Sequence, residues 1–172
     1  MSSTAIERLR QRYRPSDVRL LFVGESAPAG GTFFYAANST LYFETRTAFA
    51  RALPDQLPGL RFLDLFKTYG CYLDDLCLEP VNKLPQPVRR QKRIDAEASL
   101  VERLRRYDAQ VTVAIGKTTA APHVRTALDR AGLTETSLRI VAFPGRPEHK
   151  VMFHSEMDAI LRSARAAGLL HA

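Results

Sequence analysis

The residues with the widest chemical reach lie in one stretch, Gly24 to Tyr35. It holds one carboxylate, Glu25, and two hydroxyls, Ser26 and Thr32. Pro28, Gly30 and Gly31 shape the stretch, and three adjacent rings, Phe33, Phe34 and Tyr35, close it. A carboxylate placed there can polarise a water or steady a developing cation. It can equally accept hydrogen bonds from the amides of its own loop, and both readings stay open. The rings can offer a face to a nucleobase. Core packing should claim at least two of them, because three adjacent aromatics cannot all face one way.

Other reactive residues are scattered later in the chain. His149 and His154 flank Lys150. A histidine there can donate to a leaving-group oxygen or nitrogen, or simply sit on the surface. A metal site from His149, His154 and Glu156 lacks a convincing spacing. Gly116-Lys117-Thr118 looks like part of a phosphate loop, but that motif needs a glycine five positions earlier, where Val111 stands. Amides at the helix start that follows can still hold a single phosphate. Cys71 and Cys77 are too few for a disulfide framework or a four-cysteine cluster, and read as reduced thiols in a loop.

The charge is basic, +7 with a pI near 9.8. It is grouped as Arg89-Arg90-Gln91-Lys92-Arg93, as Arg103, Arg105 and Arg106, and as Arg162 with Arg165. Each group alone reads as a solvated helix face. Together they agree with a polyanionic partner.

These residues need a scaffold, and the pattern supplies one. A length of 172 residues with 45% hydrophobic content predicts one domain, 1–172, with a sizeable core. The apolar runs are far short of a membrane span, and the first residues lack the apolar centre of a signal peptide. A soluble cytoplasmic protein is expected. Ser3 to Tyr13 reads as a helix with a capping box at Thr4–Glu7. Val18 to Val23 is a buried strand that breaks at Gly24 into the first loop. Asn38-Ser39-Thr40 caps a helix to about Leu53, stopped by Pro54 and by Pro58-Gly59. Leu60 to Phe66 reads as a second strand with Asp64 near its far end, and Lys67 to Pro87 as a long irregular loop. A basic helix starts at Val88 or Ile94 and runs to Tyr107. Ala109 to Ile115 is a third strand, followed by a helix to about Gly132. Leu138 to Phe143 is a fourth strand, Pro144 to Lys150 a loop, and His154-Ser155 the start of a last helix that Gly168 can end. The alternation predicts a three-layer α/β/α sandwich on a short, mainly parallel sheet of four strands. Right-handed crossovers then bring all the strand-to-helix loops to one edge.

Read together, these loops resemble the uracil-DNA glycosylase superfamily. Gly24-Glu-Ser-Ala-Pro28 is similar to its first motif, nearest the Gly-Glu-x-Pro-Gly form. Glu79-Pro-Val-Asn-Lys-Leu-Pro85 is similar to its Pro-x-Asn-Arg-x-Pro segment. Val113-Ala-Ile-Gly-Lys117 matches the ending of the third strand, and Phe143-Pro-Gly-Arg-Pro147 occupies the place of the His-Pro-Ser motif. There are departures. The first motif has one extra residue before its proline, and Ser26 stands where some members carry a catalytic aspartate. Phe143 replaces the motif histidine, and the cluster cysteines of some branches are absent.

The resemblance implies hydrolysis of the N-glycosidic bond of a base, deaminated or damaged, flipped out of DNA. It implies Glu25, Ser26 and His149 as catalytic candidates. Phe34 or Tyr35 would lie under the base, and Asp64 and Asn82 would read its edge. Arg89, Arg90, Lys92, Arg93, Lys117 and Arg146 would meet phosphates, and Arg146-Pro147 could wedge into the duplex. No cofactor, metal, iron–sulfur cluster or membrane is implied, and the partner is DNA, single- or double-stranded. A non-catalytic nucleic-acid or nucleotide binder on the same fold is the alternative, and a small-molecule α/β enzyme a third reading.

Overall fold

The computed structural model describes residues 3–53 and 59–171. Four strands form one sheet: β1 (Leu20–Ser26), β2 (Cys71–Cys77), β3 (Val111–Ile115) and β4 (Ser137–Val141), in the order β2-β1-β3-β4. Every neighbouring pair is parallel. Among the described residues six α-helices cover the sheet: α1 (Ser3–Arg12), α2 (Thr40–Ala52), α3 (Phe62–Thr68), α4 (Gln86–Tyr107), α5 (Ala121–Ala131) and α6 (Pro147–Ala166). α4 packs on α5 and α2 on α6, which gives the three-layer α/β/α sandwich expected from the alternation.

The central strands are apolar because both their faces are covered. Leu20, Leu21, Phe22 and Val23 of β1 are buried, as are Val113, Ala114 and Ile115 of β3. β4 is a short edge strand, and Arg139 points out of it to solvent.

Several boundaries differ from the sequence reading. β1 does not break at Gly24; it continues through Glu25 to Ser26, paired to β2 as far as Cys77. Leu60 to Phe66 is not a strand. Phe62, Leu63, Leu65 and Phe66 are buried at the spacing of one helical face, so the segment forms α3. The second strand lies instead inside the expected long loop, at Cys71–Cys77, and is buried along its whole length. Both cysteines are therefore strand residues, and burial pushes both thiols up, Cys77 to about 11. α6 starts at Pro147, so His149 and His154 are helical. Thr4 lies within α1 and not at its N-cap. Ser39 does cap α2, accepting from the Tyr42 amide at 3.2 Å. Pro54 and Pro58, the expected stops of that helix, lie outside the described residues.

A buried ionic network fixes β2 between α1 and α4. Arg10 donates to Asp75 Oδ2 at 2.5 Å, and Arg103 donates to Asp74 Oδ2. Arg103 also donates to the carbonyls of Asp75, at 2.9 Å, and Leu76, at 3.1 Å. The Tyr107 hydroxyl donates to Asp74 Oδ2 at 2.9 Å. Two guanidiniums balance two carboxylates, which is how charge persists at this depth.

No described helix is long and apolar enough to cross a membrane.

Candidate functional site

The sheet order places a switch point at β1. The chain leaves β1 for β2 on one side and later returns to β3 on the other. In an open parallel sheet such a point leaves a crevice at the carboxyl ends of the strands. A cavity of about 340 Å³ lies there. That is at the small end of ligand sites, which run from roughly 300 to 1,000 Å³.

Its walls come from every layer. β1 gives Gly24, Glu25 and Ser26; the following loop gives Ala27, Pro28 and Thr32. Phe33 and Phe34 line it beside Ser39, Thr40 and Leu41 at the start of α2. β2 contributes Leu73 and Asp75, and the segment after it Asn82 and Arg89. Ile115, Thr119 and Phe143 close the side under β3 and β4. Apolar groups give most of the wall surface, but half of the lining residues carry a polar or charged side chain.

Glu25 is not a free carboxylate. Arg89 and Arg93 are four residues apart in α4 and so share the face that meets it. Glu25 Oε1 accepts from Arg89 Nε at 2.7 Å and from an Arg93 terminal nitrogen at 2.8 Å, and Oε2 accepts from the other arm of Arg89. Burial raises the Glu25 pKa, but the hydrogen bonds and charges of the two arginines outweigh it, and the net shift is downward. Glu25 is thus held ionised and is a weak proton acceptor.

Ser26 Oγ accepts from the Val81 amide at 3.2 Å, and Asn82 Oδ1 accepts from the Ala29 amide at 2.9 Å. These two bonds tie the loops after β1 and β2 together.

Asp75 is the second carboxylate of the cavity wall. Its residue is 4% exposed. Oδ2 is taken by Arg10, Oδ1 lies against Gly24, and the residue lines the cavity. Burial pushes the Asp75 carboxyl above the ordinary aspartate range, and Arg10 pulls against it. Gly24 makes room for this arrangement, because a Cβ there would lie 2.6 Å from Oδ1.

The other sequence candidates divide. Phe34 lines the cavity; Tyr35 does not. Its ring stacks on Tyr13 at 5.6 Å, and its hydroxyl donates to the Leu73 carbonyl at 3.0 Å while accepting from the Leu73 amide at 2.7 Å. Asp64 sits on α3, paired with Arg61 at 3.2 Å, because the segment that carries it is helical. His149 lies in the first turn of α6 and is not part of the cavity wall. Arg89 lines the cavity, Arg93 is buried behind it, and Arg90 and Lys92 face solvent. Lys117 pairs with Glu156 at 2.6 Å, and Arg146 is exposed at the N-cap of α6.

No protein-family model matches this chain, and no curated protein matches it significantly.

Sequence reasoning passed over Asp75 and gave Phe143 no role. Phe143 is 48% exposed, yet it lines the cavity, and its ring sits over Gly145, where a Cβ would meet it at 3.0 Å. The signal for Asp75 was present as two adjacent acids inside an apolar run, Cys71 to Cys77. Acids in such a run are costly to bury unless paired or used.

Proposed function

We propose that this chain is a divergent DNA glycosylase-like protein that takes one flipped base into the cavity and hydrolyses its N-glycosidic bond. The observation that carries this reading is the cavity itself. It is small and lies at the strand ends, with Phe33, Phe34 and Phe143 in its wall beside the Asp75 carboxylate, which Arg10 holds by one oxygen. A flat, apolar ring with a polar edge suits such walls. The loops that form it are those whose motifs resemble the glycosylase superfamily.

In the reaction, the oxygen of a water bonds to C1′ of the sugar as the bond from C1′ to the base nitrogen breaks. The bonding electrons leave with the base, which gains a proton from the water. The sugar passes through a cation-like state. Glu25, held ionised, supplies fixed negative charge on the same wall, and Arg89 supplies positive charge for the departing base or a neighbouring phosphate. Arg90 and Lys92 on the exposed start of α4 extend that positive surface to the strand on either side.

The test is release of free base from single- and double-stranded oligonucleotides carrying uracil, hypoxanthine, xanthine or alkylated bases. Release by the native chain should fall by roughly a hundredfold in Glu25→Gln, the scale of removing one electrostatic group from a preorganised site. Release of no base at all would reject hydrolysis. A second reading, a non-catalytic base binder, is favoured by the Glu25 geometry. Both its oxygens are taken by arginines, so it is poorly placed to accept a proton from water. Binding of the same oligonucleotides without release would establish that reading.

A further inference from the structure

We propose that Arg89 is an exchangeable partner: a phosphate of the bound nucleotide takes it from Glu25, and the exchange frees Glu25 Oε2 for the attacking water. This rests on the reading that the cavity takes a nucleotide of a DNA strand, and it names the step that readies that site.

The two oxygens of Glu25 are not held alike. Oε1 accepts from Arg89 Nε at 2.7 Å and from Arg93 at 2.8 Å, so it stays occupied if Arg89 leaves. Among the described residues, Oε2 accepts from Arg89 alone. Departure of Arg89 therefore leaves the carboxylate anchored through Oε1 and open at Oε2. The two arginines also differ in reach. The Arg89 side chain is 20% exposed and lines the cavity with Glu25, whereas that of Arg93 is 10% exposed and lies behind.

Among the described residues Arg89 is the only lysine or arginine of the cavity wall, beside two acids, Glu25 and Asp75. The hydroxyls of Ser26, Thr32, Ser39, Thr40 and Thr119 can donate to an entering phosphate, but they carry no charge to balance it. That balance falls to Arg89. A guanidinium forks onto phosphate as it does onto carboxylate, so the exchange trades one charge-assisted pair for another. The start of α4 resists such a shift little. Val88 and Ile94 are exposed, and no apolar residue of α4 before Leu100 is buried, so ion pairs more than apolar packing hold that end of the helix. Cys77 of β2 also feels the Glu25 charge, but its thiol, pushed up to about 11, stays neutral. The arginines thus set the state of Glu25.

The experiment follows the Glu25 carboxyl and the Arg89 Nε of the full native chain by NMR. The probes are inorganic phosphate and the oligonucleotides of the release assay, against chloride at equal ionic strength so that screening is held constant. Phosphate and oligonucleotide should move the Arg89 resonance and shift the Glu25 titration to higher pH; chloride should do neither. In Arg89→Gln the titration should already lie at higher pH and gain no further shift from either probe. That variant should bind oligonucleotide roughly tenfold more weakly, the scale of one hydrogen bond to a charged group. Oligonucleotide that binds without changing the Glu25 titration would overturn the exchange and leave the nucleotide reading standing. A Glu25 shift of native size in Arg89→Gln would overturn it too. If no oligonucleotide binds the native chain, the nucleotide reading falls and the exchange with it. Should Arg89→Gln fail to fold, the native titrations decide alone.

Discussion

Gly24 and Asp75 are register partners across the β1–β2 ladder, and the glycine leaves the space that the Asp75 carboxylate fills. A Cβ on residue 24 would approach Oδ1 to 2.6 Å, closer than real Cβ atoms come to their neighbours. The pairing couples the first loop of the fold to the acid of the second strand. It explains a glycine in mid-strand, where that residue otherwise weakens the structure.

Gly24→Ala should therefore act on the cavity more than on the fold. The Asp75 side chain must turn to relieve the clash, while Arg10 holds its other oxygen in place. Binding of a base in the cavity should weaken by roughly tenfold, the scale of one hydrogen bond to a charged group. Calorimetric titration of the variant against free bases checks this. Native affinity for all of them would show that the Asp75 carboxylate does not meet the base.

The Glu25 cluster gives a pH dependence with a definite sign. The folded pKa of Glu25 lies below its ordinary value of 4.5, so the unfolded chain binds the proton more readily. Stability from this group is fully present above 4.5 and is lost as the pH falls through the lower folded value. The Glu44 carboxyl, beside Lys150 and His154, shifts the same way and loses its contribution in the same window. Burial pushes Asp75 the opposite way, and its ionisation costs stability as the pH rises above 3.8. Thermal unfolding of the native chain and Glu25→Gln between pH 3 and 7 separates these effects. The native-minus-variant difference in melting temperature should shrink as the pH drops below 4.5. A constant difference would mean that the arginines do not hold Glu25 ionised.

Within the basic run at the start of α4, neighbouring residues should behave differently. Arg93 is buried against Glu25, while Arg90 and Lys92 are exposed. Arg93→Ala removes half the cage of a partly buried carboxylate and should lower the melting temperature. Arg90→Ala and Lys92→Ala should leave it unchanged and weaken oligonucleotide binding across sequences. For every phosphate that a variant no longer neutralises, the slope of log affinity against log salt should become shallower by roughly 0.7 to 0.9. Unchanged slopes in both exposed variants would move the nucleic-acid path elsewhere on the molecule.

The layers and the parallel sheet were legible because β1 and β3 are short apolar runs bracketed by helical patterns. The second strand was not, for a physical reason. Leu60 to Phe66 alternates well enough to suit a strand, yet Phe62, Leu63, Leu65 and Phe66 suit a helix face equally. What decides is the aromatic cluster they join with Phe34 and Phe49, a tertiary fact. Cys71 to Cys77 carries Asp74 and Asp75, which argue against a buried strand until Arg10 and Arg103 are known to meet them. Those arginines are distant in sequence, so no local pattern announces the pairing. Glu25 and Phe34 stand out because they follow a legible strand. Asp75 is hidden along with its strand.

The rings offer the clearest separation of fold from site. Tyr35 and Phe143 are both aromatic and both close to the cavity, but they do opposite work. β2 is an edge strand, and the Tyr35 hydroxyl satisfies both the amide and the carbonyl of Leu73 on the side with no neighbouring strand. Tyr35→Phe leaves both groups buried without a partner and should cost about 1–3 kcal/mol in chemical denaturation, with base binding kept. Phe143 is half exposed, so Phe143→Ala removes little buried area and should leave stability nearly unchanged. If its ring stacks on the base, or on its neighbour in the strand, binding should weaken by about 1–3 kcal/mol, the range for one base–aromatic stack. Paired denaturation and titration measurements on the two variants test this directly. Loss of binding in Tyr35→Phe with none in Phe143→Ala would invert the roles and place the base on the other side of Phe34.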